Sequence, residues 1–198
     1  MGYISEYNEL IQAGKVPACK RLKRVYSKLT EEINNQIFIL SPAKSQRVIE
    51  FIERFCKQSK GEWAGTPVKL ELFQKAFIEA VFGVFDPATG LRRFKECFFL
   101  VGRKNGKSTL LAGIALYMML ADGEGGAEIY STATKYAQAR LIFDEVHNMV
   151  KQSPHLKRHI RKRKTDLFFE STFSKIQPLA IPLTASTPTL LSWTNYTA

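Results

Sequence analysis

The sequence predicts an α/β protein in which an incomplete parallel sheet is flanked by helices and preceded by an N-terminal helical segment. Two observations carry this prediction: helical periodicity in the first sixty residues, and a β-α-β pattern near the middle of the chain. The chain has 198 residues and is 45% hydrophobic, which is enough to bury a core. Its longest apolar stretch, residues 110–121, is shorter than a membrane span requires, so we interpret it as a buried helix.

The first part of the chain, residues 1–60, is predicted to be helical. Between about Ser45 and Lys57, apolar residues recur at helical spacing opposite a charged face. A loop signal at residues 61–67 precedes a second amphipathic helix, which carries Leu70, Phe73, Phe77, Ile78 and Val81. Both apolar faces are predicted to pack in a core.

The middle of the chain has the pattern of a β-α-β unit. Residues 97–101 are a short continuous apolar run, as expected for a strand buried on both faces. Residues 110–120 supply a helix, the Gly-rich residues 121–126 end it, and residues 127–132 have the composition of a second strand. A strand, helix and strand in this order predict a parallel pair.

A glycine-containing loop lies between the first strand and the helix. Its residues are Gly102, Arg103, Lys104, Asn105, Gly106, Lys107, Ser108 and Thr109. The general phosphate-loop pattern is G-x-x-x-x-G-K-[ST], whose backbone N–H groups wrap phosphates. The pattern fails at one position, because Val101 stands where the first glycine belongs and Gly102 comes one residue late. The predicted strand before the loop and the helix starting at the Lys-Ser step nevertheless favour a nucleotide-binding loop.

The residue types of this loop suggest individual roles. Lys107 would neutralise phosphate charge, Ser108 would ligate Mg²⁺, and Thr109 lies at the start of a helix whose dipole faces the anion. Arg103 and Lys104 add further charge. Either one of them stabilises charge that develops on the γ-phosphate, as an arginine finger does, or both merely offset phosphate charge or face solvent. Lys107 and Arg103 are thus the catalytic candidates.

With these elements in place, the sequence resembles the large terminase subunit of tailed bacteriophages over about residues 1–180. The resemblance rests on an R-x-N-G-K-S loop at residues 103–108, on Leu70-Glu71-Leu72-Phe73-Gln74, and on the segment 174–180. It implies a P-loop NTPase fold and an adenine-recognition role for Gln74, whose amide would bond the adenine edge. Without the resemblance, Gln74 would be interpreted as a solvated residue on an amphipathic helix.

The resemblance also implies a function. Proteins of this family use ATP and Mg²⁺ to drive double-stranded DNA into a procapsid in the cytoplasm of a bacterial host. A small subunit, a portal and a ring of identical subunits are the implied partners, and a C-terminal nuclease normally follows the ATPase. The expected organisation is an N-terminal helical segment at 1–60, a partial ATPase domain at 61–180 and an atypical tail at 181–198.

ATP hydrolysis in this class needs acidic residues at the end of a second buried strand, the Walker B carboxylates. The segment Leu141-Ile142-Phe143-Asp144-Glu145 imitates that signature. Ile142, Val146 and Met149, however, repeat at helical spacing, so we predict a helix with Asp144 and Glu145 as surface charges. The chain is therefore expected to hold the nucleotide-gripping half of a site without its acidic half or a nuclease, and whether it is an active ATPase stays open.

The tail differs in composition from the rest of the chain. Residues 181–198 contain no Asp, Glu, Lys or Arg, although 24% of the whole chain is charged. We hypothesise that the reading frame shifts or is truncated near Ala180, which reading the coding DNA in the other two frames would test. Two alternative functions remain at this point: a catalytically inactive DNA-binding remnant of the family, and an unrelated phosphate-loop enzyme such as a small-molecule kinase.

The charge balance favours a polyanionic partner. The formal net charge is +11, and residues 151–164 contain seven basic residues and no acidic one. These residues are Lys151, Lys157, Arg158, Arg161, Lys162, Arg163 and Lys164. The run either touches DNA phosphates or forms a solvated hairpin or loop. His155 and His159 lie four residues apart and are predicted to be surface histidines.

Overall fold

The structure is a computed structural model that describes residues 2–181 and 190–193. The chain divides into two compact units, each assembled from two stretches of sequence. The first unit comprises residues 1–50 and 69–100, and the second comprises residues 51–68 and 101–198. The predicted tail lies largely outside the described residues, apart from residue 181 and a short strand at 190–193.

The first unit is mainly helical. It contains α1 (Tyr3–Gln12), α2 (Lys20–Asn34), most of α3 (Pro42–Phe55), α4 (Leu72–Gly83), and the antiparallel strands β1 (Ile39–Leu40) and β2 (Val84–Phe85). Its core is formed by the apolar faces of α1, α2 and α4 together with one residue of β2: Ile4, Tyr7, Ile11, Tyr26, Leu29, Ala76 and Val84. The predicted helical character of the N-terminal segment is thus confirmed.

A buried carboxylate fixes the start of α1. Glu79 on α4 is only 2% exposed, and its Oε2 accepts a hydrogen bond from the Ile4 backbone N–H at 2.6 Å. The first N–H groups of a helix have no partner within the helix, so this carboxylate supplies one from a neighbouring helix. Burial raises the pKa of Glu79, and the hydrogen bonds from the backbone at Ile4 and Tyr3 oppose that shift.

The second unit contains helices packed on a five-stranded sheet. Its elements are α5 (Lys107–Leu120), β3 (Glu128–Ala133), α6 (Tyr136–Gln152), α7 (Pro154–Lys157), β4 (Ile160–Lys162), β5 (Leu167–Phe169), β6 (Ser174–Ala180) and β7 (Leu190–Trp193). The strand order is β4-β5-β6-β3-β7. This mixed α/β arrangement confirms the predicted fold class and the predicted α5 and β3.

The central pair of the sheet is parallel. β3 runs beside β6 from Glu128↔Lys175 to Ala133↔Ala180. Pro178 is tolerated in β6 because the pairing of β6 with β5 reaches only Ile176, so that Pro178 is flanked by β3 alone. The other strand pairs that the structure describes in this sheet are antiparallel, so the predicted parallel pairing holds for β3 and β6 and the sheet as a whole is mixed. The tight turn between β4 and β5 allows only an antiparallel pair.

The predicted strand at residues 97–101 was also wrong. No described strand pairs with this segment, and Phe98 and Leu100 are 80% and 81% exposed. Phe99 alone turns inward within the first unit, where its ring contacts Phe77 at 4.5 Å between centroids. A strand buried on both faces requires hydrogen-bonded neighbours on both sides, and the described part of the chain supplies none here.

Candidate phosphate-binding site

The loop before α5 has the backbone geometry of an anion-binding nest. α5 begins at Lys107, as predicted. Lys104 and Gly106 have positive φ values of 67° and 68°, whereas Asn105 between them does not. Such an alternation of φ turns successive backbone N–H groups toward one side of the chain, where they form a concave surface for an anion. The helix N-terminus adds its unpaired N–H groups and its positive dipole end.

Asn105 braces this loop from within. Its Nδ2 donates hydrogen bonds to the carbonyl oxygens of Gly102 and Arg103, both at 3.3 Å. A Cβ at Gly102 would lie 3.2 Å from the same Nδ2. Gly102, which comes one residue late in the general pattern, therefore leaves room for the Asn105 side chain.

The loop lines a cavity of about 330 Å³ that is open to solvent. The cavity is lined by Gly102, Arg103, Lys104, Gly106, Lys107, Ser108 and Thr109. This volume falls within the range of small-molecule sites, roughly 300–1,000 Å³. Three cationic side chains and a helix N-terminus around one concave surface suit a phosphate chain with a bound cation, so the residues present fit the expected nucleotide.

The helix behind the loop gives it a rigid base. Residues 112–119 of α5 are all buried. At Gly113 the packing is so close that a Cβ would lie 3.1–3.3 Å from three carbons of the Ile52 side chain. Because α5 is held on all sides, the position of its first turn is set by the core of the second unit.

Gln74, the predicted adenine-recognition residue, belongs to the first unit. Its side chain is buried, with 6% of the residue exposed, so the alternative interpretation as a solvated glutamine was wrong. Its Oε1 accepts a hydrogen bond from the backbone N–H of Glu71 at 3.0 Å, which is one half of a capping box at the start of α4. A role in adenine recognition stays a prediction.

The Asp144-Glu145 pair lies on a helix and not on a strand, as predicted. Asp144 forms a surface ion pair with Arg140 at 3.2 Å. Glu145 is 7% exposed, and its prediction as a surface charge was wrong. The spacing contained the signal: position 145 comes three residues after Ile142 and four before Met149, which places it on the apolar face of the helix.

The basic run forms a hairpin with exposed cationic side chains. It covers α7, β4 and the turn before β5, and Lys157, Arg158, Arg161 and Lys164 are exposed. Within the run, Arg161 pairs with Glu170 at 2.7 Å. His155 and His159 are exposed, and no cluster of metal-ligating side chains occurs among the described residues.

Comparison with known proteins decides the family. Residues 72–181, more than half of the chain, match the profile of the family described as "Terminase large subunit, ATPase domain". The chain belongs to the terminase large subunit family. The matched region includes the loop and the start of α5, which line the cavity, together with β3, α6 and β6.

Relatives from two groups of phages share this similarity. The chain is 37% identical over 114 residues to "Terminase, large subunit" of Enterobacteria phage HK97, covering 57% of this chain and 21% of that protein. It is 32% identical over 98 residues to "Terminase large subunit" of Lactococcus phage p2, covering 47% of this chain and 18% of that protein. The chain thus spans about a fifth of the length of the curated relatives it matches.

A solved terminase structure has the same fold. The "Crystal structure of the HK97 bacteriophage large terminase" matches with a TM-score of 0.58 and 30% identity, covering 73% of this chain and 28% of that one. Family membership rules out the unrelated small-molecule kinase, which also depended on a strand at Asp144-Glu145. In the described part of this terminase chain, no helix has the length and apolar character to cross a membrane.

Proposed function

We propose that this chain binds Mg·ATP through the phosphate loop, as the front part of a motor that packages double-stranded DNA into procapsids. The single observation that carries the proposal is the alternating backbone of Lys104 and Gly106 directly before the N-terminus of α5, around a cationic cavity. Phosphates are the anions that such a combination of nest and helix end binds.

Each cavity residue receives a role in this proposal. Lys107 neutralises the phosphate oxygens, and the Ser108 hydroxyl holds Mg²⁺, which withdraws charge from the phosphates. Arg103 is the candidate for stabilising charge on the γ-phosphate, with Lys104 as the alternative. Gln74 is proposed to recognise the adenine edge. The backbone N–H groups from Gly102 to Thr109 wrap the phosphate chain.

The proposed partners follow from family and charge. Double-stranded DNA is favoured by the net charge of +11 and by the exposed hairpin at 157–164. The small terminase subunit, the portal and a ring of copies are proposed for the intact protein, in the cytoplasm of the bacterial host. The segments 1–60, 61–180 and 181–198 are kept as proposed functional divisions.

A catalytically inactive DNA-binding remnant is the second candidate. It is favoured by one observation: Asp144 and Glu145 lie on α6, so they are not carboxylates at the end of a strand. This candidate predicts DNA retention that is independent of ATP and no phosphate release in any condition.

One set of assays separates the two candidates. Mg·ATP binding by titration calorimetry and phosphate release with and without DNA are measured on the wild type, Lys107→Ala and the exposed control Lys95→Ala. We expect the wild type and the control to bind equally and Lys107→Ala to bind at least about tenfold more weakly, because a charge-assisted contact contributes about 1.5–3 kcal/mol. Equal binding by Lys107→Ala would refute the nucleotide site. Robust turnover by the wild type would refute the inactive remnant.

A further inference from the structure

Glu145 is a buried carboxylate that the proposed nucleotide site does not use. It lies on α6 with 7% of its surface exposed, beside the half-exposed Asp144. Burying an ionisable group away from water is costly unless polar partners satisfy it. The partners of Glu145 therefore indicate what the carboxylate is for.

Both partners reach the same carboxylate oxygen. The Oγ of Ser59 donates to Glu145 Oε1 at 2.7 Å, and the Oγ1 of Thr109 lies 3.4 Å from that oxygen as a second donor. Thr109 is the third residue of α5 and follows Lys107 and Ser108 directly. A carboxylate on a different helix is thus tied to the first turn behind the phosphate loop.

Ser59 belongs to a segment that α6 holds in place, residues 57–68. This segment closes on itself through a bridge between Lys57 and Pro67 and a hydrogen bond from the Gln58 N–H to the Thr66 carbonyl at 2.8 Å. Two turns along α6 from Glu145, the Gln152 side chain contacts the same segment: it donates to the Ser59 carbonyl and accepts from the Gly65 N–H, both at 3.1 Å. Glu145 therefore joins α6, this segment and α5.

We propose that Glu145 is a positioning residue for the phosphate loop. By accepting a hydrogen bond from Thr109, it holds the first turn of α5 in one orientation. It thereby fixes the direction in which the side chains of Lys107 and Ser108 project from the helix. The first turn of a helix frays readily because its N–H groups have no partner within the helix, and a fixed acceptor there pre-organises the cradle. A negative charge near a helix N-terminus is also favourable. This role rests on the proposed nucleotide site.

The test uses variants that separate the acceptor from the rest of the side chain. Glu145→Ala removes the acceptor, Glu145→Gln keeps an acceptor oxygen, and Thr109→Val removes the donor while keeping its shape. Asp144→Ala is the matched control, since it removes the adjacent carboxylate from the surface. Two properties are measured on the 198-residue chain: the Kd for Mg·ATP, and hydrogen exchange at Leu110 and Leu111 without nucleotide.

We expect Glu145→Ala and Thr109→Val to raise the Kd roughly five- to tenfold, the loss of about one hydrogen bond. Glu145→Gln should restore the Kd to within about twofold of the wild type, and Asp144→Ala should not change it. Exchange should accelerate at Leu110 and Leu111 in Glu145→Ala but not in residues 114–119. Acceleration along all of α5 would mean that Glu145 serves general packing, and would overturn the positioning role.

Failure of this inference is distinguishable from failure of the nucleotide site. If the wild type binds Mg·ATP, Lys107→Ala does not, and Glu145→Ala binds like the wild type, the positioning role is overturned and the nucleotide site stands. If the wild type binds no nucleotide, hydrogen exchange at Leu110 alone decides whether Glu145 anchors the first turn of α5. Faster exchange in Glu145→Ala than in Glu145→Gln would support the anchoring of α5, and equal exchange would overturn it.

Discussion

Glu79 shows how one buried carboxylate can link two helices and make their stability depend on pH. It accepts the N–H of Ile4 at the start of α1 and is almost fully buried on α4. Burial raises its pKa above the ordinary value. A carboxyl group whose pKa is higher in the folded state contributes most stability below its unfolded pKa, and this contribution is lost as the pH rises through the folded value.

We therefore predict a pH-dependent difference between the wild type and Glu79→Gln. The glutamine keeps an acceptor for Ile4 but does not ionise, so the free energy of unfolding of the wild type should fall relative to the variant as the pH rises from about 4 to 7. Urea unfolding at several pH values measures the difference, and Glu9→Gln, which replaces an exposed carboxylate on α1, is the control. Parallel pH profiles for wild type and Glu79→Gln would contradict the prediction.

The start of α5 was predicted correctly from the sequence, whereas the burial of Glu145 on α6 was not. The helix start was predictable because the Lys107-Ser108 step is followed directly by an apolar, helix-forming run. The burial of Glu145 was missed because a charged residue type was given more weight than its helical position. The contact between Glu145 and Ser59 joins residues 86 positions apart, and no local pattern predicts it.

Helix α5 depends on the absence of a side chain at Gly113. In a helix, alanine is normally about 1 kcal/mol more favourable than glycine. Here a Cβ would lie 3.1–3.3 Å from the side chain of Ile52, which is fully buried and has little room to shift. Overpacking a core typically costs about 1–3 kcal/mol, so steric cost should exceed the gain in propensity.

We predict that the effect of Gly113→Ala on the free energy of unfolding changes sign with the residue at position 52. In the wild type it should destabilise the protein by about 1 kcal/mol, whereas in an Ile52→Ala background it should stabilise by a similar amount. Thermal and urea unfolding of the double-mutant cycle measure both effects. Gly125→Ala, where a Cβ would meet nothing within 4 Å, is the control with an expected effect near zero. A stabilising effect of Gly113→Ala in the wild type would contradict the account.

Helices were predicted more reliably than strands for a physical reason. The hydrogen bonds of α3, α5 and α6 are local, so the apolar period of the sequence is sufficient to indicate them. A strand exists only with a neighbour: residues 97–101 have a strand composition without a described partner, whereas β4 and β5, of three residues each, gain their identity by pairing with one another and with β6. Pairing of distant segments is not encoded in a local window.

The distribution of charge over the molecule bears on the proposed DNA partner. We predict that the chain retains double-stranded DNA without ATP and that retention falls steeply as salt rises from about 50 to 200 mM, because bound phosphates release counterions. Lys164→Gln in the exposed hairpin should reduce the salt slope by about one, while Lys15→Gln, equally charged and exposed in the first unit, should leave it unchanged. Equal slopes for the two variants would contradict contact between the hairpin and DNA.

The fold class and the family were predictable from sequence, but the organisation of the whole chain was less so. The segments at residues 70–74, 103–108 and 174–180 together indicated a terminase of the α/β class, and the match over residues 72–181 confirms the family. The two compact units, by contrast, each combine stretches separated in sequence. The strand at 190–193 also joins β3 although two helices and three strands lie between them in the sequence.

We propose that the loop from Gly102 to Thr109 binds the phosphates of ATP, and this binding mode is open to a direct test. Hydrogen exchange of the wild type with and without Mg·ATP tests it most directly, because the protected backbone N–H groups locate the nucleotide. We predict protection of residues 102–110 by Mg·ATP in the wild type and none in Lys107→Ala. Unchanged exchange in this loop at a Mg·ATP concentration that saturates the protein would contradict the account.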